Sequence, residues 1–117
     1  MVTEGPISKT ETRNAIITNF FIGYEDHGIY TWCVTFDFGG MVQGTGHYPL
    51  TEEGQDSTGL LIKGLLKVFK IDNIKKIQGQ FCRVERDLHN HNSIEQIGHI
   101  MEHRWLKVRT LEYEGNK

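Results

Sequence analysis

The chain has 117 residues, of which 38% are hydrophobic and 24% are charged, and this composition excludes a fully disordered protein. Its 13 Lys and Arg residues against 15 Asp and Glu residues give a net charge of −2, which argues against binding of duplex nucleic acid through phosphates. The length predicts one domain, 1–117, and leaves little room for two.

The first part of the chain predicts an antiparallel hairpin. Residues 1–13 are polar and without periodicity, so we expect a loose N-terminal arm. Residues 15–24 and 29–38 are rich in β-branched and aromatic residues and predict two strands joined by a polar turn at Gly28. On the second strand one face is apolar and carries Tyr30, Trp32, Val34, Phe36 and Phe38, and the other face carries Thr31, Cys33, Thr35 and Asp37.

A glycine-rich segment, 39–50, follows the hairpin. It predicts either a third strand interrupted by bulges or a loop in which the backbone closely approaches another group. Residues 57–71 then predict an amphipathic helix, which Ser57 or Thr58 can cap. Its apolar positions are Leu61, Leu65, Val68 and Phe69, and its polar ridge is Lys63, Lys67 and Lys70.

The second half of the chain contains three further predicted strands, 80–88, 94–101 and 105–112. The whole order predicts an α+β fold, an antiparallel sheet of about five to six strands with one main amphipathic helix packed on it. A domain of this size gains stability from self-association, so we expect a homo-oligomer, from a dimer to a hexamer.

Two observations predict a cytoplasmic protein. The longest apolar stretch, 60–66, is interrupted by Lys63 and is too short to cross a membrane, and residues 1–6 lack the layout of a signal peptide. Cys33 and Cys82 both lie within predicted strands, where buried free thiols are expected rather than a disulfide.

Catalytic and metal-binding motifs are weak in this sequence. His89 and His91 are two residues apart, and His99 and His103 are four apart. The second pair flanks a predicted strand end, where four residues span about 13 Å, too far for one metal ion. No activated serine, phosphate loop or dinucleotide fingerprint accompanies them. We therefore expect no catalysis, no metal and no cofactor.

Binding of a small nucleotide fits the residues better. Phe81 and Arg83 share the outward face of their strand, and such a pair can stack a nucleobase and neutralise a phosphate. Asn92 can read a base edge or a ribose hydroxyl, and Arg109 shares a face with Trp105 and can pair with a phosphate. The alternative is that Phe81 belongs to the core and that Arg109 is only a solvated charge.

Two glycine-containing segments complete the predicted pocket. The turn residues Asp26, His27 and Gly28 are expected to lie near it. Gly44 and Gly46 would let backbone N–H groups approach an anion; the alternative is that they only ease a tight bend.

Four segments carry a resemblance to a known family: GYEDHGI at 23–29, GGMVQGTGHYPL at 39–50, FCRV at 81–84 and IGHI at 97–100. Over residues 13–106 this combination resembles small phage and prophage proteins that include the first class of anti-Thoeris sponge proteins. The resemblance implies a homo-oligomer that catalyses nothing and sequesters cyclic ADP-ribose isomers made by TIR-domain defence enzymes in the bacterial cytosol. Some of these proteins also capture cyclic di- or trinucleotide signals of the CBASS type. His47 and the loop 50–57 depart from the family pattern, which bears on ligand preference more than on fold.

Two other functions remain open on the residues alone. One is a protein–protein module that inhibits a host enzyme through a sheet edge or face. The other is a metal-dependent hydrolase of cyclic nucleotides.

Overall fold

A computed structural model describes residues 9–49, without the side chains of 47–49, and residues 57–115. The elements in chain order are β1 (Thr10–Tyr24), β2 (Tyr30–Asp37), β3 (Val42–Pro49), α1 (Ser57–Phe69), a 3₁₀ turn (Ile74–Lys76), β4 (Phe81–Asp87), β5 (Ser93–His99), β6 (Arg104–Lys107) and β7 (Tyr113–Gly115). The predicted α+β class, with one main helix on an antiparallel sheet, is confirmed. The predicted strand count of five to six is too low, because the sheet has seven strands.

The sheet has the order β3-β2-β1-β4-β5-β6-β7, and every neighbouring pair is antiparallel. The long strand β1 pairs with two strands in turn: its residues from Thr10 to Ile16 pair with β4, and those from Ile16 to Tyr24 pair with β2. Residues 10–13 therefore belong to a strand, which corrects the predicted loose arm for these four residues. Their polar side chains gave no sequence signal of the hydrogen-bonded pairing with β4. Residues 1–8 of the predicted arm lie outside the described part of the chain.

The glycine-rich segment forms a strand with a bulge, the first of its two predicted alternatives. The register of β3 on β2 shifts between the pairs Thr31–Pro49 and Cys33–Gly46. Gly46 has φ of +113°, and a Cβ there would collide with the backbone carbonyl of Trp32. Only glycine fits this position, because the bulge requires both a positive φ and a close backbone approach.

The predicted last strand, 105–112, is wrong as a single element. Its residues up to Lys107 belong to β6, residues 108–112 form a turn, and β7 begins only at Tyr113. The N–H of Leu111 donates to the carbonyl of Lys107 (2.9 Å), and the N–H of Lys107 donates to the carbonyl of Glu112 (3.0 Å). These bonds reverse the chain within a stretch whose composition is typical of a continuous strand.

Helix α1 covers one face of the sheet. Leu61, Leu65 and Val68 are fully buried, as predicted, against core residues that include Trp32 and Phe36. The helix ends at Phe69, two residues before the predicted end. Lys70 there takes a positive φ of 55° and the N–H of Ile71 returns to the carbonyl of Leu66, the pattern that terminates a helix.

The opposite face, here called the open face, is covered by no element of the described chain. It includes Ile16, Phe21, Cys33, Phe81, Arg83 and Trp105, whose side chains alternate with core residues along their strands. The two cysteines are free, as expected, and Cys82 is buried on the covered face while Cys33 is half-buried on the open face. No helix among the described residues has the length and apolarity needed to span a membrane.

Candidate ligand-binding site

Phe81 is an exposed aromatic residue at the start of β4. It pairs with Ile16 across the open face, and 61% of its surface is accessible. The alternative that Phe81 belongs to the core is therefore wrong. Its neighbours on the strand explain the position, since Cys82 and Val84 alternate with it and are fully buried on the helix side.

Arg83 shares the open face with Phe81, as predicted, but its contacts differ from those expected. Its guanidinium carbon lies 4.8 Å from the ring centroid of Trp105. Its Nε donates to the carbonyl of His99 (2.7 Å), and its Nη2 donates to the carbonyl of Glu102 (2.8 Å). These contacts stabilise the turn between β5 and β6. The guanidinium of Arg83 therefore has a structural role, and its hydrogen bonds are used within the fold more than they are available to a ligand phosphate.

Arg109 lies in the turn after β6 and is half exposed. Its Nη2 lies 3.8 Å from Glu95 Oε2, its only ion pair in the described chain. Beside it the open face contains a pocket of about 400 Å³, here called the Arg109 pocket. The pocket is lined by Thr10, Glu85, Asp87, Glu95, Gln96, Lys107, Arg109 and Thr110.

Strand register explains why these side chains meet. Gln96 on β5 pairs with Glu85 on β4 and with Lys107 on β6, and its amide donates to Glu85 Oε1 (3.1 Å). The register of β4 on β5 shifts next to this pair, which makes Glu95 an extra residue on β5. Such a bulge re-aims a side chain, and here it places Glu95 beside Arg109.

The chemistry of the Arg109 pocket is mixed. Three carboxylates, from Glu85, Asp87 and Glu95, can accept hydrogen bonds from sugar hydroxyls. Lys107 and Arg109 can pair with a phosphate, and the fork of Arg109 can do so with two hydrogen bonds. The arrangement therefore suits a ligand that carries both hydroxyl groups and negative charge.

Asn92 does not line the Arg109 pocket. It lies in the turn between β4 and β5 with a positive φ of 58°, which asparagine tolerates better than most residues. Its carbonyl accepts a hydrogen bond from Gln43 Nε2 (2.7 Å) on β3. The backbone of Asn92 thus has a structural partner on the helix side of the sheet.

The predicted turn residues Asp26, His27 and Gly28 lie at the far end of the molecule from this pocket. They form the tip between β1 and β2, where Gly28 has φ of +81° and the Glu25 carboxylate accepts from the N–H of His27 (2.6 Å). Thr10, at the other end of β1, lines the pocket. The expectation that this turn lies near Arg109 is wrong within one copy of the chain.

Gly44 and Gly46 also lie away from the Arg109 pocket. Both belong to β3, where they pair with Thr35 and Cys33 of β2. Gly46 is required by the bulge described above, which supports the interpretation that it eases a bend.

The structure brings some predicted site residues together and separates others. Phe81 and Arg83 are adjacent on the open face, and Arg109 lies on the same side of the sheet. Four residues separate Phe81 from Glu85 of the pocket, which is about 13 Å along an extended strand. Sequence reasoning missed Glu85, Asp87 and Glu95 as pocket residues. Alternation indicated the face of Glu85, but no local pattern reveals the bulge at Glu95.

The histidines weighed as metal ligands have other roles. The ring of His99 accepts the N–H groups of Met101 and Glu102 through Nδ1, at 3.0 Å each, and so stabilises a turn. His89 and His91 are exposed in the turn between β4 and β5. Among residues 9–49 and 57–115, no three His, Cys, Asp or Glu side chains are grouped so that they could hold a metal ion.

Comparison of the chain with protein-family models, with curated proteins and with solved structures finds no match. The functional conclusion therefore depends on the open face and the Arg109 pocket, together with the resemblance stated above.

Proposed function

We propose that the protein binds a nucleotide signal of the cyclic ADP-ribose type and holds it without cleaving it, as a sponge in the cytosol of a bacterial host. The observation that carries this proposal is the mixed-charge Arg109 pocket on the open face. A cyclic ADP-ribose isomer has the matching groups, since it combines phosphates, ribose hydroxyls and a base. Cyclic di- or trinucleotides carry the same groups and are the next ligands to test.

Arg109 is available to a ligand. Its pair with Glu95 spans 3.8 Å, and the two side chains are 53% and 31% exposed. Exposed pairs of this kind contribute about 0–1 kcal/mol to stability, so a ligand phosphate can replace Glu95 at small cost. Lys107 lines the same pocket and supplies a second positive charge.

The size of the pocket fits the proposal. Its volume of about 400 Å³ lies within the range of roughly 300–1,000 Å³ that small-molecule sites occupy. Phe81 offers a stacking surface on the same face, and stacking a base on an aromatic ring contributes about 1–3 kcal/mol. Self-association is part of the proposal, and the exposed ring of Phe21 on the open face favours contact with a second copy.

The decisive experiment is capture and release. The protein is incubated with the cyclic ADP-ribose isomer made by a TIR-domain enzyme, freed of unbound nucleotide and then heat-denatured. We expect intact nucleotide in the supernatant, in stoichiometric amount. Continued conversion to a new product would instead support the metal-dependent hydrolase.

Two variants locate the site. Arg109→Ala should weaken capture at least tenfold and leave the melting temperature of the unliganded protein unchanged, whereas Lys75→Ala removes an exposed charge outside the pocket and should change neither. Phe81→Ala should also weaken capture. Unimpaired capture by folded Arg109→Ala protein would contradict the assignment.

A second candidate function is a module that inhibits a host enzyme through the edge of its sheet. One observation favours it: β3 is the edge strand of the described sheet, and Val42 on it is 63% exposed. An edge of this kind can add a strand from another protein. Co-elution with the TIR-domain enzyme that Val42→Lys abolishes, with no rise in melting temperature on adding nucleotide, would support this function over the first.

A further inference from the structure

A second pocket lies on the helix side of the molecule, between α1 and the turn that joins β6 to β7. Its volume is about 570 Å³, and it shares only Thr110 with the Arg109 pocket. It is here called the helix cleft. Its lining residues are Leu60, Lys63, Gly64, Lys67, Thr110, Leu111, Glu112 and Tyr113.

The wall formed by α1 is held firmly in place. Gly64 packs so closely on β6 that an added Cβ would lie 2.6 Å from Leu106 Cδ1. The carbonyl of Lys67 accepts a hydrogen bond from Arg104 Nη1 (2.9 Å), which ties the last turn of the helix to the sheet. The helix cleft is therefore a preformed feature of the fold.

The opposite wall contains a strained residue. Leu111 has φ of +60°, a conformation that is rare for a bulky side chain. The hydrogen bonds that close the turn hold it there, and its side chain is buried at the cleft. The turn thus holds the apolar side chain of Leu111 beneath the polar residues at the mouth of the cleft, although its backbone conformation is unfavourable. Backbone strain of this kind is concentrated at functional sites.

The rim of the helix cleft is positively charged. Lys63 and Lys67 are one helical turn apart, and like charges at this spacing repel each other. Both are exposed, and neither forms an ion pair within the described part of the chain. Glu112, the only acidic residue among the described residues that line the cleft, accepts a hydrogen bond from the hydroxyl of Thr110 (3.0 Å). An anion between the two lysines would relieve their repulsion.

Lys67 also shows how a ligand would fit. Its Nζ lies 5.3 Å from the ring centroid of Tyr113, so charge and aromatic surface meet at one point of the cleft. Leu60, exposed on α1, and Leu111 extend the apolar surface. We propose that the helix cleft is a second binding site, for a small organic anion with an aromatic body. Its acidic group lies between Lys63 and Lys67, and its ring lies against Leu60, Leu111 and Tyr113.

The test uses 8-anilinonaphthalene-1-sulfonate, an aromatic monoanion, as the probe. The dye is titrated into the folded protein and its binding is followed by fluorescence, while amide chemical shifts map the site. We expect shifts confined to residues 60–67 and 110–113 and an affinity that falls as salt is added. Shifts centred on Phe81 or spread over the open face would overturn the proposal.

Charge variants sharpen this test. Lys67→Glu and Lys63→Glu should each weaken dye binding at least tenfold, whereas Lys75→Glu, the same change outside the cleft, should alter it less than twofold. Lys63→Gln serves as a milder second variant, for which a severalfold loss is expected. Equal losses in the Lys75 and Lys67 variants would mean that the dye responds only to net charge, and would overturn the site.

The helix cleft is independent of the proposed nucleotide site. Arg109→Ala should bind the dye normally, and Lys67→Glu should still capture the nucleotide. A negative result for dye binding therefore does not contradict the proposed nucleotide site, and a negative result for nucleotide capture does not contradict the helix cleft.

Discussion

Phe36 and Phe81 lie on neighbouring parts of the same sheet but on opposite faces, and they differ in solvent exposure. Phe36 points toward α1 and is fully buried, whereas Phe81 points to the open face with 61% of its surface accessible. One ring holds the fold together and the other is available for contact. The difference arises because α1 packs on one face of the sheet, whereas no element of the described chain covers the other.

Arg86 and Arg109 show the same difference in exposure between the two faces. Arg86, on the covered face, is 6% exposed; it contacts the Glu11 carboxylate and donates to Gln43 Oε1 (3.1 Å). Arg109, on the open side, is half exposed and has one distant carboxylate. A buried guanidinium requires several partners because desolvation is costly, whereas an exposed one keeps its bonding capacity for a ligand. Gln43 lies on β3, three strands from β4, so the sheet must curl to complete the buried cluster.

The largest expected effect tests the two phenylalanines. Phe36→Ala should lower the free energy of unfolding by about 3–5 kcal/mol, because it leaves a cavity in a packed core. Phe81→Ala should lower it by less than about 1 kcal/mol, since the ring is already in contact with water. Urea denaturation measures both. Similar losses in the two variants would mean that the open face is covered by a partner in solution.

The two arginines give the next largest effect. Arg86→Ala should cost about 2 kcal/mol of stability, since it removes the hydrogen bonds and the packing of a buried side chain. Arg109→Ala should change stability by no more than about 0.5 kcal/mol. Thermal unfolding of the pair, compared with Lys75→Ala, checks the contrast. A large loss in Arg109→Ala would assign that residue to the fold and weaken its role as a ligand contact.

The two thiols compare the faces by reactivity. Burial raises the pKa of Cys82 to about 12, and burial also raises the pKa of Cys33, which is only half-buried. Since the thiolate is the reactive form, iodoacetamide should modify Cys33 slowly in the folded protein and should leave Cys82 unmodified. Mass spectrometry of peptides after short exposure measures this. Modification of Cys82 at the rate of Cys33 would show that the covered face opens readily.

The smallest effect concerns Glu102, in the turn between β5 and β6. Hydrogen bonds from Arg104 and then Lys70 lower the pKa of Glu102 from its ordinary value to about 2. Because the folded pKa is lowered, this stabilisation is present above the ordinary pKa and is lost as pH falls toward 2. Glu102→Gln should therefore flatten the dependence of melting temperature on pH between about 5 and 2. Melting curves of the two proteins at several pH values test this, and parallel curves would contradict it.

The local sequence pattern predicted well which side chains share a face of a strand or helix, and it predicted poorly where strands begin and end. Alternation along β2 correctly placed Trp32 and Phe36 on one face, which the structure buries, and helical spacing correctly placed Leu61 and Leu65 on the buried side of α1. The start of β1 at Thr10 was missed because its polar residues pair with β4 far along the chain. The division between β6 and β7 was missed because Leu111 adopts a backbone conformation that its residue type does not signal.

The candidate site shows the same limit. Sequence placed Phe81 and Arg83 on one outward face, since alternation is a local property of a strand. It did not place Arg83 over Trp105, or Glu95 beside Arg109, because these contacts depend on register between strands and on a bulge. It also assigned Lys63 and Lys67 to a solvated ridge, although the turn that carries Leu111 makes them one wall of a cleft.

By itself the sequence determined the α+β class, the single main helix and the faces of the central strands, because these follow from periodicity within a segment. Only the tertiary structure decided which charged side chains are bonded within the fold and which remain accessible to a ligand. Arg86 is enclosed by residues from β1 and β3, and Arg109 is left beside an open pocket. The physical reason is that a side chain's solvation depends on neighbours that are distant in sequence, and those neighbours are brought together only when the sheet curls and α1 covers one of its faces.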